Sequence, residues 1–522
     1  MSRLAALGLA IVAAMMATMM CREAARAEDA GSPPRFEPAR CWFDMTETPN
    51  ARCGRLYVPE NRRVADSRRI GLAVVVLPPD GAAPGEEPDP VIYLTGGPGY
   101  GSGIEADGIA GWVSWREDVA WLLGRTLVLV DPRGTGLSEP LMACPEITEA
   151  YFAYYGSRPV ADDAKEAAPW RDAGAACRDR LVAGGIDLTA YDSAATAADV
   201  ADLRVALGYA EWDVWGVSYG TRIALALMRD RPEGIRTAIL DSLYPPEAMG
   251  YAELAAGTEG AFRQLFADCA ADTACDAAYP KLKDKLSRAL AWLDERPITF
   301  PVVRPDTGAK TRVILNGERF LDLLFTDFYD WERITYLPWV IDAAARRDIP
   351  FLRSYAEWLA ENLPEPEFSD GLQLSMECRE EFPFNPEDGM RAGLAAPPFS
   401  GFGRPRLELA VCPLWGAGAA DAIENEPVTS DIPTLVLAGL YDPITPPAWA
   451  RAAMAGLPNG FLVEFAGIGH GVVDNESCAD DVVGDFLDRP DERPTPSCLL
   501  DVGPPTFDTG QPAEDAYWER RI

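Results

Sequence analysis

A short strand-like run, residues 212–215 (WDVW), leads directly into Gly216-Val217-Ser218-Tyr219-Gly220, and a helical stretch at 221–228 leads out of it. Few chain geometries accept that junction. A serine at the corner between strand and helix sits in a strained conformation, and the residues two positions either side must be small for the chain to turn so sharply. The serine then stands at a helix N-terminus, where free N–H groups favour negative charge. A G-x-S-x-G match is weak alone in a glycine-rich chain; its place between strand and helix gives it weight. The bland alternative is a tight turn with an incidental serine.

Other short apolar runs have the continuous character of strands covered on both faces: 71–77, 91–94, 126–130 and 237–240. Helical spacing separates them, as at 194–207, where Gly208 is placed to end the helix. Such alternation implies a mostly parallel α/β sheet. After Pro245-Pro246 the pattern becomes mainly helical and rich in aromatics (Phe325, Phe328, Tyr329, Trp331, Tyr336, Trp339). Strand 434–438, helix 448–455 and strand 461–465 then restore the α/β pattern. The expected organisation is a leader at 1–27, a first core part at 28–246 whose residues 28–40 look loose, a helical insertion at 247–428, a second core part at 429–490, and a Pro- and acid-rich tail at 491–522.

Charge and rare residues narrow the function. With 47 Lys+Arg against 81 Asp+Glu, the formal net charge of -34 repels phosphate backbones and anionic membranes, so neither nucleic acid nor a stable membrane partner is expected. There is one histidine among the 522 residues, which excludes a zinc site built on several imidazoles and assigns any imidazole chemistry to His470. No metal and no organic cofactor is expected. Arg3, an apolar run at 4–20 and Ala25-Arg26-Ala27 read as a cleaved export signal, implying a secreted or periplasmic protein; an uncleaved anchor or a lipid-modified Cys21 are the alternatives. Ten cysteines follow the leader, an even count suited to disulfides, and nearest-neighbour pairing gives 41–53, 144–177, 269–275, 378–412 and 478–498.

A serine hydroxyl needs a base, and His470, flanked by glycines in Gly467-Ile468-Gly469-His470-Gly471 just after a strand, is the one available. The imidazole in turn needs a carboxylate to fix its tautomer. Asp442, in the loop after strand 434–438, falls at the same sheet edge; Asp241 is the rival, since it also follows a strand. The order Ser218, Asp442, His470 is that of the α/β-hydrolases. An oxyanion hole needs two backbone donors: Tyr219 N–H follows from the corner, and Gly97 in the loop 95–103 (TGGPGYGSG) is the candidate for the second. That loop lacks both the Lys-Ser/Thr of a P-loop and the Rossmann spacing.

These segments together resemble the tripeptidyl aminopeptidase and proline iminopeptidase family of secreted α/β-hydrolase serine peptidases. Residues 95–103 look like its GGPG-x-SG loop, Asp131-Pro132-Arg133-Gly134-Thr135-Gly136-Leu137-Ser138 its D-x-R-G-x-G-x-S loop, 215–221 (WGVSYGT) its nucleophile segment and 441–446 (YDPITP) its acid segment. The resemblance implies an α/β-hydrolase core with an inserted, mainly helical cap, and a peptide substrate with a free N-terminus, often held by cap carboxylates. Cys378-Arg379-Glu380-Glu381 looks like the family's C-x-E segment, which makes Glu380 the candidate amine anchor and Glu381 the reserve; the alternative is that both are solvated or bind a neighbouring Arg. Thr95 stands where proline iminopeptidases usually have His, which brings the chain nearer the tripeptidyl branch. The expected activity is release of N-terminal residues or short peptides through an acyl-enzyme. A carboxylesterase, or a non-catalytic binding protein on the same fold, are the rivals.

Overall fold

The computed structural model describes residues 34–510 apart from 47, 80, 83–86, 159–162, 364–367, 393–398 and 400–401. The leader read at 1–27 therefore lies outside the described residues. Strands β1 (Arg35–Ala39), β2 (Arg52–Pro59), β3 (Arg69–Leu77), β4 (Val91–Leu94), β5 (Leu127–Val130), β6 (Trp212–Val217) and β7 (Ile235–Asp241) precede the insertion. A hairpin of β8 (Ile298–Val303) and β9 (Lys310–Leu315) lies within it, and β10 (Thr434–Gly439) and β11 (Gly460–Phe465) follow. All but the hairpin join one sheet in the order β1-β2-β3-β5-β4-β6-β7-β10-β11. Pairing is parallel from β5 through β4, β6, β7 and β10 to β11, and antiparallel at the β1, β2 and β3 end. This is the α/β-hydrolase fold.

The continuous apolar runs are explained by what covers them. Val74, Val76, Ile92, Val128 and Val214 face one core, while Val75, Leu77, Val91, Leu129 and Trp215 face the other. The period-two alternation thus survives inside strands that are apolar on both faces. Each such side chain contributes roughly 1.5–3 kcal/mol by leaving water. A third core, built on Phe262, Phe320, Leu324, Trp339 and Tyr355, belongs to the insertion, and Tyr441 and Phe507 reach into it. The tail crosses to the insertion there: Asp508 N–H donates to the Thr335 carbonyl at 3.1 Å.

Two elements differ from the sequence reading. The stretch read as loose at 28–40 contains β1, an edge strand whose side chains are mostly half-exposed or exposed; backbone pairing to β2, not burial, holds it. The β8–β9 hairpin lies in a segment read as helical, and its first strand buries Phe300 and Val302 while exposing Thr299, Pro301 and Val303.

All five nearest-neighbour disulfides are present: Cys41–Cys53, Cys144–Cys177, Cys269–Cys275, Cys378–Cys412 and Cys478–Cys498. The fourth joins helix Asp370–Glu380 to helix Arg406–Trp415 across a separation of 34 residues. By loop-closure entropy that bridge is worth about 3–4 kcal/mol. Replacing both Cys378 and Cys412 by serine is expected to lower the melting temperature by several degrees, read by calorimetry against the unaltered chain.

Candidate active site

Register assembles the site. Leu94 pairs with Gly216, Val217 with Asp241, Leu437 with Asp241, and Gly439 with Phe465, so the C-terminal ends of β4, β6, β7, β10 and β11 form one edge. The candidate residues Ser218, Asp442 and His470 lie just beyond the ends of β6, β10 and β11. Ser218 sits between β6 and helix Tyr219–Asp230 at φ +57° and ψ -123°, a conformation that side chains with a Cβ rarely adopt. The flanking glycines are obligatory on steric grounds. A Cβ on Gly220 would lie 1.9 Å from the Leu94 carbonyl oxygen, and one on Gly216 would lie 2.6 Å from the Gly220 carbonyl oxygen.

The loop after β4 closes over this corner. A Cβ on Gly96 would stand 3.2 Å from Ser218 Cβ, so the backbone of the glycine loop runs within contact distance of the serine. Gly97 takes φ +113° and Gly99 φ +123°, values open to glycine. Asp131 fastens the loop: its Oδ1 accepts from Ser102 N–H at 2.7 Å and its Oδ2 from Leu137 N–H at 2.6 Å. Arg133, fully buried, makes two 2.7 Å bonds to Asp199. The second glycine loop thus serves as a brace for the first.

His470 Nδ1 lies 2.8 Å from Asp442 Oδ2, with both residues buried. Asp442 is itself held on three sides. Its Oδ1 accepts the backbone N–H groups of Ile444 and Thr445 at 3.0 and 2.8 Å, and its Oδ2 accepts the Thr445 hydroxyl at 2.6 Å. Burial disfavours the imidazolium, but the charge and hydrogen bond of Asp442, with Asp241 and Asp474 nearby, outweigh it and raise the His470 pKa above its usual value. Asp241 has a different task. Its carboxylate accepts the N–H groups of Val472 and Val473 at 2.8 and 2.9 Å, and its carbonyl accepts Ser218 N–H at 2.9 Å. It therefore ties the serine corner to the histidine loop, while Asp442 holds the ring.

The insertion contributes to the same place through Phe328 and Tyr329, to which the sequence reading gave no role at the site. The Tyr329 ring packs against the His470 ring at 4.8 Å, and the Phe328 carbonyl accepts His470 N–H at 3.3 Å. A Cβ on Gly469 would lie 1.7 Å from that carbonyl oxygen, so the glycine beside the histidine is required by the insertion's approach. Thr445 carried no role in the sequence reading either; its signal was a hydroxyl three residues after the acid, where it can reach back to the carboxylate.

Glu380 and Glu381, the candidate amine anchors, are buried and engaged within the protein. Glu380 accepts Ser193 N–H at 2.5 Å and Ser193 Oγ–H at 2.6 Å, and it pairs with Arg222 Nε at 3.2 Å. Glu381 pairs with Arg222 Nη1 and accepts from Gly250 N–H and Asn385 Nδ2. Arg222 belongs to the helix that follows Ser218 and lies over the Tyr244 ring. A guanidinium of the protein thus occupies the place in which a substrate ammonium was expected.

Sheet, corner and acid–histidine pair define an α/β-hydrolase. Residues 89–301 match the family described as alpha/beta hydrolase fold, and residues 398–498 the family described as TAP-like protein. It is similar to the serine protease Hip1 of Mycobacterium tuberculosis, 26% identical over 478 residues that cover 88% of this chain and 89% of that one. Carboxylesterase B of the same organism is 28% identical over 240 residues, 44% of each chain. Among solved structures, a proline iminopeptidase from Mycobacterium smegmatis aligns over 84% of this chain and 98% of its own, at 15% identity and a TM-score of 0.39. The chain is accordingly a serine hydrolase of the α/β-hydrolase class.

Proposed function

We propose that this protein is an exported aminopeptidase that releases N-terminal residues or short peptides through an acyl-enzyme on Ser218. One observation favours a peptidase over an esterase. The similarity to a serine protease runs through the core and the insertion alike, whereas the similarity to a carboxylesterase covers less than half the chain. In this reading His470 takes the Ser218 proton as the hydroxyl attacks the scissile carbonyl, and Asp442 stabilises the imidazolium and fixes its orientation. The N–H groups of Gly97 and Tyr219 receive the oxyanion, each worth about 3–4 kcal/mol in the transition state. His470 then returns the proton to the leaving amine, and water releases the acyl group. Five disulfides agree with an oxidising compartment outside the cytoplasm. Among the described residues no helix is long and apolar enough to cross a membrane.

The test is a panel of amino-acyl, prolyl and tripeptidyl anilides, each free and N-acetylated, with short-chain esters alongside. Cleavage of the free-amine anilides and not of the acetylated ones is the expected result; turnover confined to esters would remove the aminopeptidase reading and leave the nucleophile in place.

A pH dependence follows from the raised pKa of His470. The general base must be neutral, so activity is lost as pH falls through the folded-state pKa. Because that pKa lies above the usual 6.5, the acid limb of kcat/KM should fall above pH 6.5. With a single histidine in the chain, its proton NMR titration is unambiguous and should give the same midpoint as the kinetics.

A further inference from the structure

Asn475 closes the short helix Val472–Asn475 that follows the histidine loop, and it has no part in the triad. Its Nδ2 donates to the carbonyl oxygens of Gly471, His470 and Tyr329 at 2.7, 3.1 and 3.4 Å, and its Oδ1 accepts Trp331 N–H at 3.2 Å. Gly471 and His470 belong to the histidine loop, Tyr329 and Trp331 to the insertion, so one side chain spans the seam between them. The pattern specifies an amide, which offers N–H donors on one side and an acceptor on the other. A carboxylate in its place would face the carbonyl oxygens with no proton to give.

Both sides of the seam are otherwise fixed. On the core side, the Asp241 carboxylate holds the Val472 and Val473 N–H groups, at the start of the same helix, at 2.8 and 2.9 Å. On the insertion side, Trp331 opens helix Trp331–Ala345, whose Ile334, Leu337, Val340 and Ile341 are fully buried. Just before that helix stand Phe328 and Tyr329, which meet His470 through the 3.3 Å backbone bond and the 4.8 Å ring contact. The backbone of His470 is therefore held at both ends, its N–H by the Phe328 carbonyl and its carbonyl by Asn475. It cannot rotate without breaking a bond to the insertion or to the amide that grips the insertion. A misplacement of about 1 Å at a catalytic group can cost on the order of 10²-fold in rate, so this restraint bears on the chemistry.

We propose that Asn475 is a positioning residue for the reaction: it latches the insertion to the histidine loop, so that His470 keeps its working orientation only while the insertion is seated. The proposal rests on the reading of Ser218, His470 and Asp442 above and adds that the insertion takes part in the chemical step. Two variants of the full chain test it. Asn475→Leu keeps the side chain's bulk and removes every one of these hydrogen bonds. Trp331→Pro removes the insertion's N–H alone. Proline is tolerated at the first position of a helix, and Asp330 before it already has the extended φ -118° and ψ 122° that a following proline requires.

The first readout is the NMR signal of the Nδ1 proton between His470 and Asp442, unambiguous in a chain with one histidine. The others are the rate of labelling by a fluorophosphonate, and kcat and KM on a cleaved substrate at the pH plateau. Asn475→Leu should shift or broaden the signal and lower kcat and labelling by about 10- to 100-fold, with KM changed by no more than about twofold. Trp331→Pro should act in the same direction by a smaller factor, and the double substitution should be no worse than Asn475→Leu. If Asn475→Leu fails to fold by circular dichroism, Trp331→Pro decides on the same readouts. A folded variant with native signal and native rates overturns the latch, even where its melting temperature is lower, and so do losses from the two substitutions that add in full. Because the NMR signal needs no turnover, an unaltered chain that labels on another serine fails the Ser218 reading while the signal still decides whether Asn475 holds the ring.

Discussion

Ser218→Ala should lower kcat on any cleaved anilide by about 10⁶, with KM little changed. The loss is large because the residues act as a unit. Without Oγ there is no atom for His470 to deprotonate, and the orientation supplied by Asp442 has nothing to act on. The substitution removes one oxygen and keeps the Cβ that the corner already accommodates at φ +57°, so the fold should be retained. Rates that fall only a few-fold would mean that another group carries the chemistry.

Asp442→Asn should cost about 10⁴ in kcat, and the hydrogen bonds around the residue say why. Oδ1 accepts two backbone N–H groups, from Ile444 and Thr445, so the amide oxygen of asparagine must stay on that side. The amide NH₂ is then turned toward Thr445 Oγ and His470 Nδ1, where Oδ2 stands in the native chain. A donor facing Nδ1 forces the ring proton onto Nε2, the nitrogen required to accept the serine proton. The variant should keep its shape and lose its base. An equal loss from Asp241→Asn would not distinguish the two acids in rate alone. That variant should also lower the melting temperature, because Asp241 holds the Val472 and Val473 N–H groups and not the imidazole ring.

What could be read from the sequence was what depends on local pattern. Doubly covered strands announce themselves as continuous apolar runs, and the serine corner as a glycine two residues to either side. That Asp442 and His470 meet was legible because each follows a strand of the same parallel sheet, where topology fixes the edge. β1 was not legible, since an edge strand held by backbone pairing leaves no apolar signature. The meeting of Arg222 with Glu380 and Glu381 depends on how the insertion packs on the core, a relation between distant segments that no local spacing encodes. Tyr329 is hidden for the same reason: its aromatic character was visible, but its place against His470 is decided by the insertion's approach to the histidine loop.

The most direct measurement is labelling of the native protein with a fluorophosphonate, followed by mass mapping of the adduct. A single phosphonyl group on the peptide that contains Ser218, absent from the Ser218→Ala chain and strongly slowed by Asp442→Asn, is the result expected. An adduct on a different serine, or none under conditions that label other serine hydrolases, would contradict the assignment of Ser218 as the nucleophile.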